Sequence, residues 1–268
     1  MARARYVSNS RDLVPGTRIQ GNIIHEQIKG MDVGIPDVTS TTQQYPLGTR
    51  LITADGRVFR YCLSSAAIQA GRGTKTRITM ADDGIAANTS KAEAVGAKSV
   101  SFASQTFALD ELKGGYICMY SAGSTYQQRY ITGNTAAAGA TVEVKFDAPI
   151  TTAVTAAMYC EALGNPYRYM SSASFGYASC LGVSHVVVAA AGTYFWIQTW
   201  GICWMNPGPY GMGGDAQERA VIFNPDGSLR PRNEHSGDGV DYQLAGFIVQ
   251  TDSNGSDGPP FIMLQISP

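Results

Sequence analysis

Three histidines, His25, His185 and His235, are the only imidazoles in the chain. Any Ser, Thr or Cys nucleophile that needs a histidine base must find one of them. His25 lies in an N-terminal stretch of Gly and Ile residues. His185 sits in Gly182-Val-Ser-His-Val186, which has the outline of a nucleophile elbow but lacks its second glycine. His235 belongs to the polar turn Asn233-Glu-His-Ser-Gly-Asp238. Gly71-Arg-Gly-Thr-Lys-Thr76 holds a Lys-Thr pair, but neither the glycine spacing nor the following helix of a phosphate loop. Asp252, Asn254 and Asp257 are close together without EF-hand spacing. Glu234, Asp238 and Asp241 share one polar loop, so no carboxylate pair flanking a cleft is visible. The cysteines are Cys62, Cys118, Cys160, Cys180 and Cys203. They are odd in number, without CxxC or Cys/His ligand spacing, and lie in or beside apolar segments, so they read as small buried hydrophobes. No catalytic residue, cofactor, metal or small-molecule substrate is expected.

The aromatic residues carry more information. Trp196, Trp200 and Trp204 recur every four positions. The flanking Thr193-Tyr-Phe-Trp-Ile-Gln-Thr-Trp200 favours a strand, which puts all three indoles on one face. A core strand or a subunit interface is the leading reading, and a carbohydrate-stacking platform the alternative. Phe59, Tyr61, Tyr194 and Tyr210 are further interface candidates. Arg3, Arg5 and Arg11, with Arg18 beyond them, form a basic N-terminal stretch opposed only by Asp12.

The elements that would position these residues are strands. Arg50-Leu-Ile-Thr53 and Arg57-Val-Phe-Arg-Tyr-Cys62 flank Asp55-Gly56, a pair that favours a turn with positive φ. Ser65 to Ala70 reads as one helical turn ending at Gly71, and 72–96 as a long polar loop. Short strands are expected over Lys98–Ala103, Thr106–Leu109, Gly115–Ser121 and Gln127–Thr132. Thr141–Phe146 alternates cleanly, with Val142, Val144 and Phe146 opposite Glu143 and Lys145. Further strands are expected over Ser184–Ala190, Thr193–Cys203, Ala220–Phe223, Gln243–Thr251 and Phe261–Ile266. Pro207–Gly214 is a loop, Asn224-Pro-Asp-Gly227 a turn and Asp252–Pro260 a link. Many short strands between turn signals argue for a mainly β fold, sandwich or barrel-like, with an extended N-terminal arm. We place the arm at 1–45 and the β-rich domain at 46–268, with an insertion at 147–182 where small residues and tyrosines replace clear periodicity.

Composition agrees. The chain has 30 Gly and 12 Pro among 268 residues, and its charged fraction of 15% is well below the usual quarter. A surface so poor in charge suits a protein that buries much of it against neighbours. The net charge of −1 leaves no overall nucleic-acid footprint, so nucleic acid is not an expected partner. No stretch reaches the roughly 18 apolar residues that cross a bilayer, and no membrane role is expected. The first residues carry charge but no apolar core of a secretory leader, so maturation in a reducing cytoplasm is expected.

A family resemblance enters in the C-terminal third. Ala191-Gly-Thr-Tyr-Phe-Trp-Ile-Gln-Thr-Trp-Gly201 resembles a strand, Gly-x-Tyr-x-Trp-Val-Gln-x-Trp-Gly, found in head and decoration proteins of tailed bacteriophages. The pieces that follow it there are similar to Ala220–Pro231, Gln243–Gln250 and Pro260–Ile266 of this chain. The hairpin Tyr45–Tyr61 and the segment Gly115–Asn134 are similar to the start and middle of such proteins. The likeness covers about half the chain, in pieces, and carries no catalytic motif. It implies a virion protein on the capsid surface, made in the host cytoplasm. Such a protein binds between major capsid subunits, cements them against internal pressure, and associates with itself, commonly as a trimer. A tail or fibre protein that binds a host surface glycan is the alternative it leaves open, with Trp200 or Tyr210 exposed.

Overall fold

In the computed structural model, residues 35–77, 84–121, 125–172, 179–208, 212, 219–232, 242–250 and 260–268 are described. They build a mainly β protein of antiparallel sheets. Among the described residues, the 3-10 turn Ile35–Asp37 is the one helical piece. The chain divides into two compact units, one running to Arg77 and resuming at Tyr169, the other spanning Ile78–Arg168. The inserted unit is therefore longer than the stretch 147–182. Of that stretch, 147–168 belong to it, while Met170–Ser171 and Cys180–Ser184 pair in the sheet of the first unit.

Strands are numbered along the chain. The first unit holds β1 (Arg50–Ile52), β2 (Val58–Leu63), β3 (Gly73–Thr76), β10 (Met170–Ser171) and β11 (Cys180–Ser184). It also holds β12 (Tyr194–Trp204), β13 (Ala220–Phe223), β14 (Leu229–Pro231), β15 (Leu244–Gln250) and β16 (Phe261–Gln265). Their order is β10-β3-β11-β12-β16-β15-β13-β14, with β2 also pairing β12 and β1 pairing β2. The β1–β2 hairpin forms where Asp55-Gly56 indicated it. Gly56 sits at φ 84°, and Thr53 and Arg57 close the loop through a 2.9 Å backbone hydrogen bond. Its core gathers Val183, Cys203, Val221, Phe223, Leu229, Ile262 and Leu264.

Three expectations in this unit are corrected. Residues 73–76 form β3 within the stretch read as loop. The strand is hidden from sequence because its small and polar residues gain their ladder partners only from β10 and β11, far along the chain. A side chain at Gly73 would meet the Cys180 sulfur and the Phe223 ring, and the Thr74 hydroxyl donates to the Gly182 carbonyl at 3.0 Å. Ser65–Ala70 is not helical. Ile68 and Val188 exchange both backbone hydrogen bonds, at 2.8 and 2.9 Å, so this backbone is satisfied across the fold rather than along a helix. The same bridge is all that remains of the strand expected over 184–190, since β11 ends at Ser184.

The second unit holds β4 (Gly84–Thr89), β5 (Ser99–Phe107), β6 (Tyr116–Ser121), β7 (Thr125–Asn134), β8 (Ala137–Phe146) and β9 (Tyr159–Leu163). They form one sheet ordered β4-β9-β6-β7-β8-β5. β4 is a second strand within the stretch read as loop. The two short strands expected near 100 are one, β5, bent by irregular pairing between Phe102 and Thr106, with Ser104 at φ 57°. In β8, Val142, Val144 and Phe146 face inward as the alternation requires. They pack with Val100, Phe102, Ile117 and Ile131. Burying each such side chain stabilises the fold by roughly 1.5–3 kcal/mol.

Candidate interaction faces

The aromatic residues singled out by sequence separate into two groups. Phe59, Tyr61 and Trp196 are buried, and Tyr194 is half-buried. Tyr61 and Trp196 are cross-strand partners on β2 and β12, with ring centroids 5.0 Å apart. Tyr194 stacks on Tyr61 at 5.8 Å, and Tyr45 closes the cluster edge-on to Tyr61 at 5.3 Å. The Tyr61 hydroxyl accepts the Gln44 N–H at 3.0 Å, and Ser40 exchanges backbone bonds with Tyr194. Residues 40–45 are thereby tied to the sheet. Arg3, Arg5, Arg11 and Tyr210 lie outside the described residues.

The three tryptophans do not share a face, contrary to the strict alternation. Gln198 pairs with Phe59, and Trp200 with the adjacent Val58, so Thr199 is an extra residue in β12. Cross-strand partners lie on one face, so this bulge inverts the alternation. Trp196 stays with Tyr61, while Trp200, Ile202 and Trp204 turn to the opposite side. The bulge is held by its neighbours. The Gln198 amide donates to the Trp200 and Ile202 carbonyls, both at 2.9 Å, and the Thr199 hydroxyl donates to the Ser267 carbonyl at 2.7 Å. Gly201 follows at φ 97°.

The re-aimed residues join an outward apolar face. Trp204 pairs with Phe261, and Ile202 with Met263, which also pairs with Phe247 of β15. Trp204 is 43% exposed and Phe261 49%, and Ile202 and Phe247 are exposed as well. The indole of Trp204 lies over Gly71, where a side chain would collide with the ring. Strands β12, β16 and β15, of eleven, five and seven residues, contain no charged residue. Large exposed apolar patches of this kind mark contact surfaces.

One buried contact has the residue types of a nucleophile and base. Cys203 Sγ lies 3.9 Å from His185 Nε2, and the imidazole stands edge-on to Phe59. Burial decides its chemistry. It pushes the Cys203 thiol up to about 12, against the pull of Arg57, and holds His185 below its ordinary value, with Arg57 adding to the effect. Both groups are neutral near pH 7, so the pair is packing rather than an activated thiolate. Cys62, Cys160 and Cys180 are also buried, and Cys118 is half-buried. Among the described residues no group of three His, Cys, Asp or Glu could hold a metal ion, and no helix is long and apolar enough to cross a membrane.

A second surface escaped the sequence reading. On the outward side of β9, β6 and β7, the paired residues form three rows, Leu163-Tyr116-Tyr130, Glu161-Cys118-Gln128 and Tyr159-Tyr120-Tyr126. The alternate placing of tyrosines at 116 and 120, and at 126 and 130, was the available signal. Compared with known proteins, the chain matches no family model, no curated protein and no solved structure.

Proposed function

We propose that this protein is a structural component of a virion that assembles through the outward face of the uncharged strands β12, β16 and β15 of its ten-stranded sheet. It decorates or cements a tailed-phage capsid between major capsid subunits. The observation that carries this reading is the outward face of β12, β16 and β15, where Trp204, Phe261, Ile202 and Phe247 stand exposed on strands without a single charge. Exposed aromatic and aliphatic groups in a charge-free field are stabilised by burial against another surface. The resemblance of Ala191–Gly201 to decoration-protein strands points to a capsid as that surface. Half-buried Trp200 is the residue of this segment on the outward side, next to exposed Ile202. On a symmetric shell many weak contacts act together, so no single one need be tight. A trimer is the expected solution state, and catalysis plays no part in this reading.

The test is mass by light scattering, followed by co-sedimentation with capsid shells lacking the protein. Wild type is expected to run as a small oligomer and to sediment with shells. Trp204→Asp with Phe261→Asp places two charges on exposed positions. The two charges are cross-strand neighbours and lower the melting temperature somewhat, but the variant is expected to keep the wild-type circular dichroism while abolishing both behaviours. A wild-type monomer that ignores shells sinks the proposal.

A further inference from the structure

We propose that the outward face of β6, β7 and β9 is a binding face for a neutral polysaccharide. The inference is independent of the assembly reading, since it uses a different unit and a different sheet. Five tyrosines stand on this face, and four of them are exposed, Tyr126 at 69%. They fall into two groups. Tyr116 and Tyr130 meet edge-on at 5.7 Å at one end, and Tyr120 and Tyr159 lie 6.0 Å apart at the other, with Tyr126 opposite Tyr120. Four residues of strand separate the groups, about 13 Å.

Between them runs a polar row, Glu161-Cys118-Gln128. The Tyr120 hydroxyl donates to Glu161 Oε1 and the Tyr126 hydroxyl to Gln128 Oε1, both at 2.9 Å. These bonds hold the two polar side chains in place before any ligand arrives, which lowers the ordering cost of binding. Glu161 brings a second carboxylate oxygen and Gln128 a carboxamide NH2, one accepting and one donating.

This arrangement matches an extended chain of pyranoses. The C–H-rich face of a sugar ring is attracted to the electron-rich face or edge of a phenol, and its hydroxyls need both acceptors and donors nearby. Two aromatic groups separated by a polar row offer stacking at each end and hydrogen bonding in the middle. The charge pattern narrows the ligand further. Glu161 is the one charged residue among the outward positions of these three rows, and no Lys or Arg is present in them. An anionic glycan or a nucleic acid would meet a carboxylate with no cation to offset it. A purely apolar partner would bury Glu161 and the tyrosine hydroxyls without replacing their water.

Affinity electrophoresis of the full chain in gels containing dextran, galactomannan, xyloglucan or mixed-linkage β-glucan tests the proposal, with heparin as the anionic control. At least one neutral polysaccharide is expected to retard the wild type. Tyr126→Ala with Tyr159→Ala is expected to weaken that retardation at least tenfold, while Trp204→Ala retains it. Both tyrosines are exposed, so the circular dichroism and melting temperature of the double variant should match wild type. Tyr126→Phe is expected to keep the stacking and lose only part of the affinity. The proposal is overturned if all four neutral gels leave migration unchanged, or if heparin alone retards it. It is also overturned if the tyrosine variants migrate like wild type. A lower solution mass for the double variant would assign the face to contact between copies and equally overturn it.

Discussion

At the scale of single residues, burial rather than residue type decides what the chemistry-bearing groups do. His185 and Cys203 touch, yet desolvation keeps both neutral. For His185, the folded protein binds its proton less readily than the unfolded chain, because desolvation and Arg57 outweigh Asp37 and the hydrogen bond to Gln198. In that last bond the His185 ring N–H donates to Gln198, which favours the charged imidazole. Stability from this group is thus complete above the ordinary value of 6.5 and declines as pH falls from there through the lower folded value. Melting temperature is expected to drop between pH 7.5 and 5.5, and His185→Gln should flatten that slope. An identical slope in the variant would refute the assignment. Asp55 and Asp226 act in a separate window. Desolvation raises each, but hydrogen bonds and a nearby arginine outweigh it and hold both below 3.8. Their contribution is present above 3.8 and fades only at more acidic pH. The thiols give a second check. Native protein is expected to expose one slowly reacting cysteine to a disulfide reagent, Cys118, while the other four react only after unfolding. Rapid reaction of two or more would contradict the buried placement.

At the scale of elements, two glycines fix the closest approaches of neighbouring strands. A Cβ at Gly246 would press into the Met263 carbonyl oxygen across the β15–β16 ladder, and one at Gly115 into that of Leu163. Neither obstacle is a side chain that can swing away. Gly246→Ala and Gly115→Ala should each cost at least about 3 kcal/mol. Gly56→Ala has open space around it and only the strain of φ 84°, so it should cost about 1–2 kcal/mol. Equilibrium denaturation of the three variants would rank them, and a Gly56 variant as damaged as the others would refute the steric account. The Thr199 bulge belongs to the same scale. One extra residue turns Trp200 and Trp204 from the buried aromatic cluster toward the outward face.

At the scale of the molecule, each unit owns its core. The first is built on Val183, Phe223, Leu229 and Leu264, the second on Phe102, Ile117, Ile131 and Val144. Two cores made of separate sets of residues are expected to melt as two cooperative transitions. In calorimetry, Gly246→Ala should lower one and Gly115→Ala the other. One transition moved by both substitutions would show a single cooperative unit instead. The two candidate faces also differ in kind. The first unit's is apolar and without charge, and the second's is a tyrosine grid around one carboxylate.

The division between sequence and tertiary structure follows from the range of the interactions involved. Alternation in Thr141–Phe146, the turn at Asp55-Gly56 and the β-rich punctuation are local signals, and the mainly β fold was legible from them. Burial of Cys62, Cys160, Cys180 and Cys203 was legible too, because their neighbours are apolar. Strand β3 was not, since small and polar residues mark a loop unless flanking strands, more than ninety residues away in sequence, press against them. The aim of Trp200 and Trp204 depends on which residue of β2 each position of β12 meets. The tyrosine grid depends on β6 pairing with both β7 and β9, the latter some forty residues distant. Sequence by itself determined the strands' composition and their alternation. Which side chains share a face was decided only by register between distant strands, because one residue of shift inverts every side chain that follows.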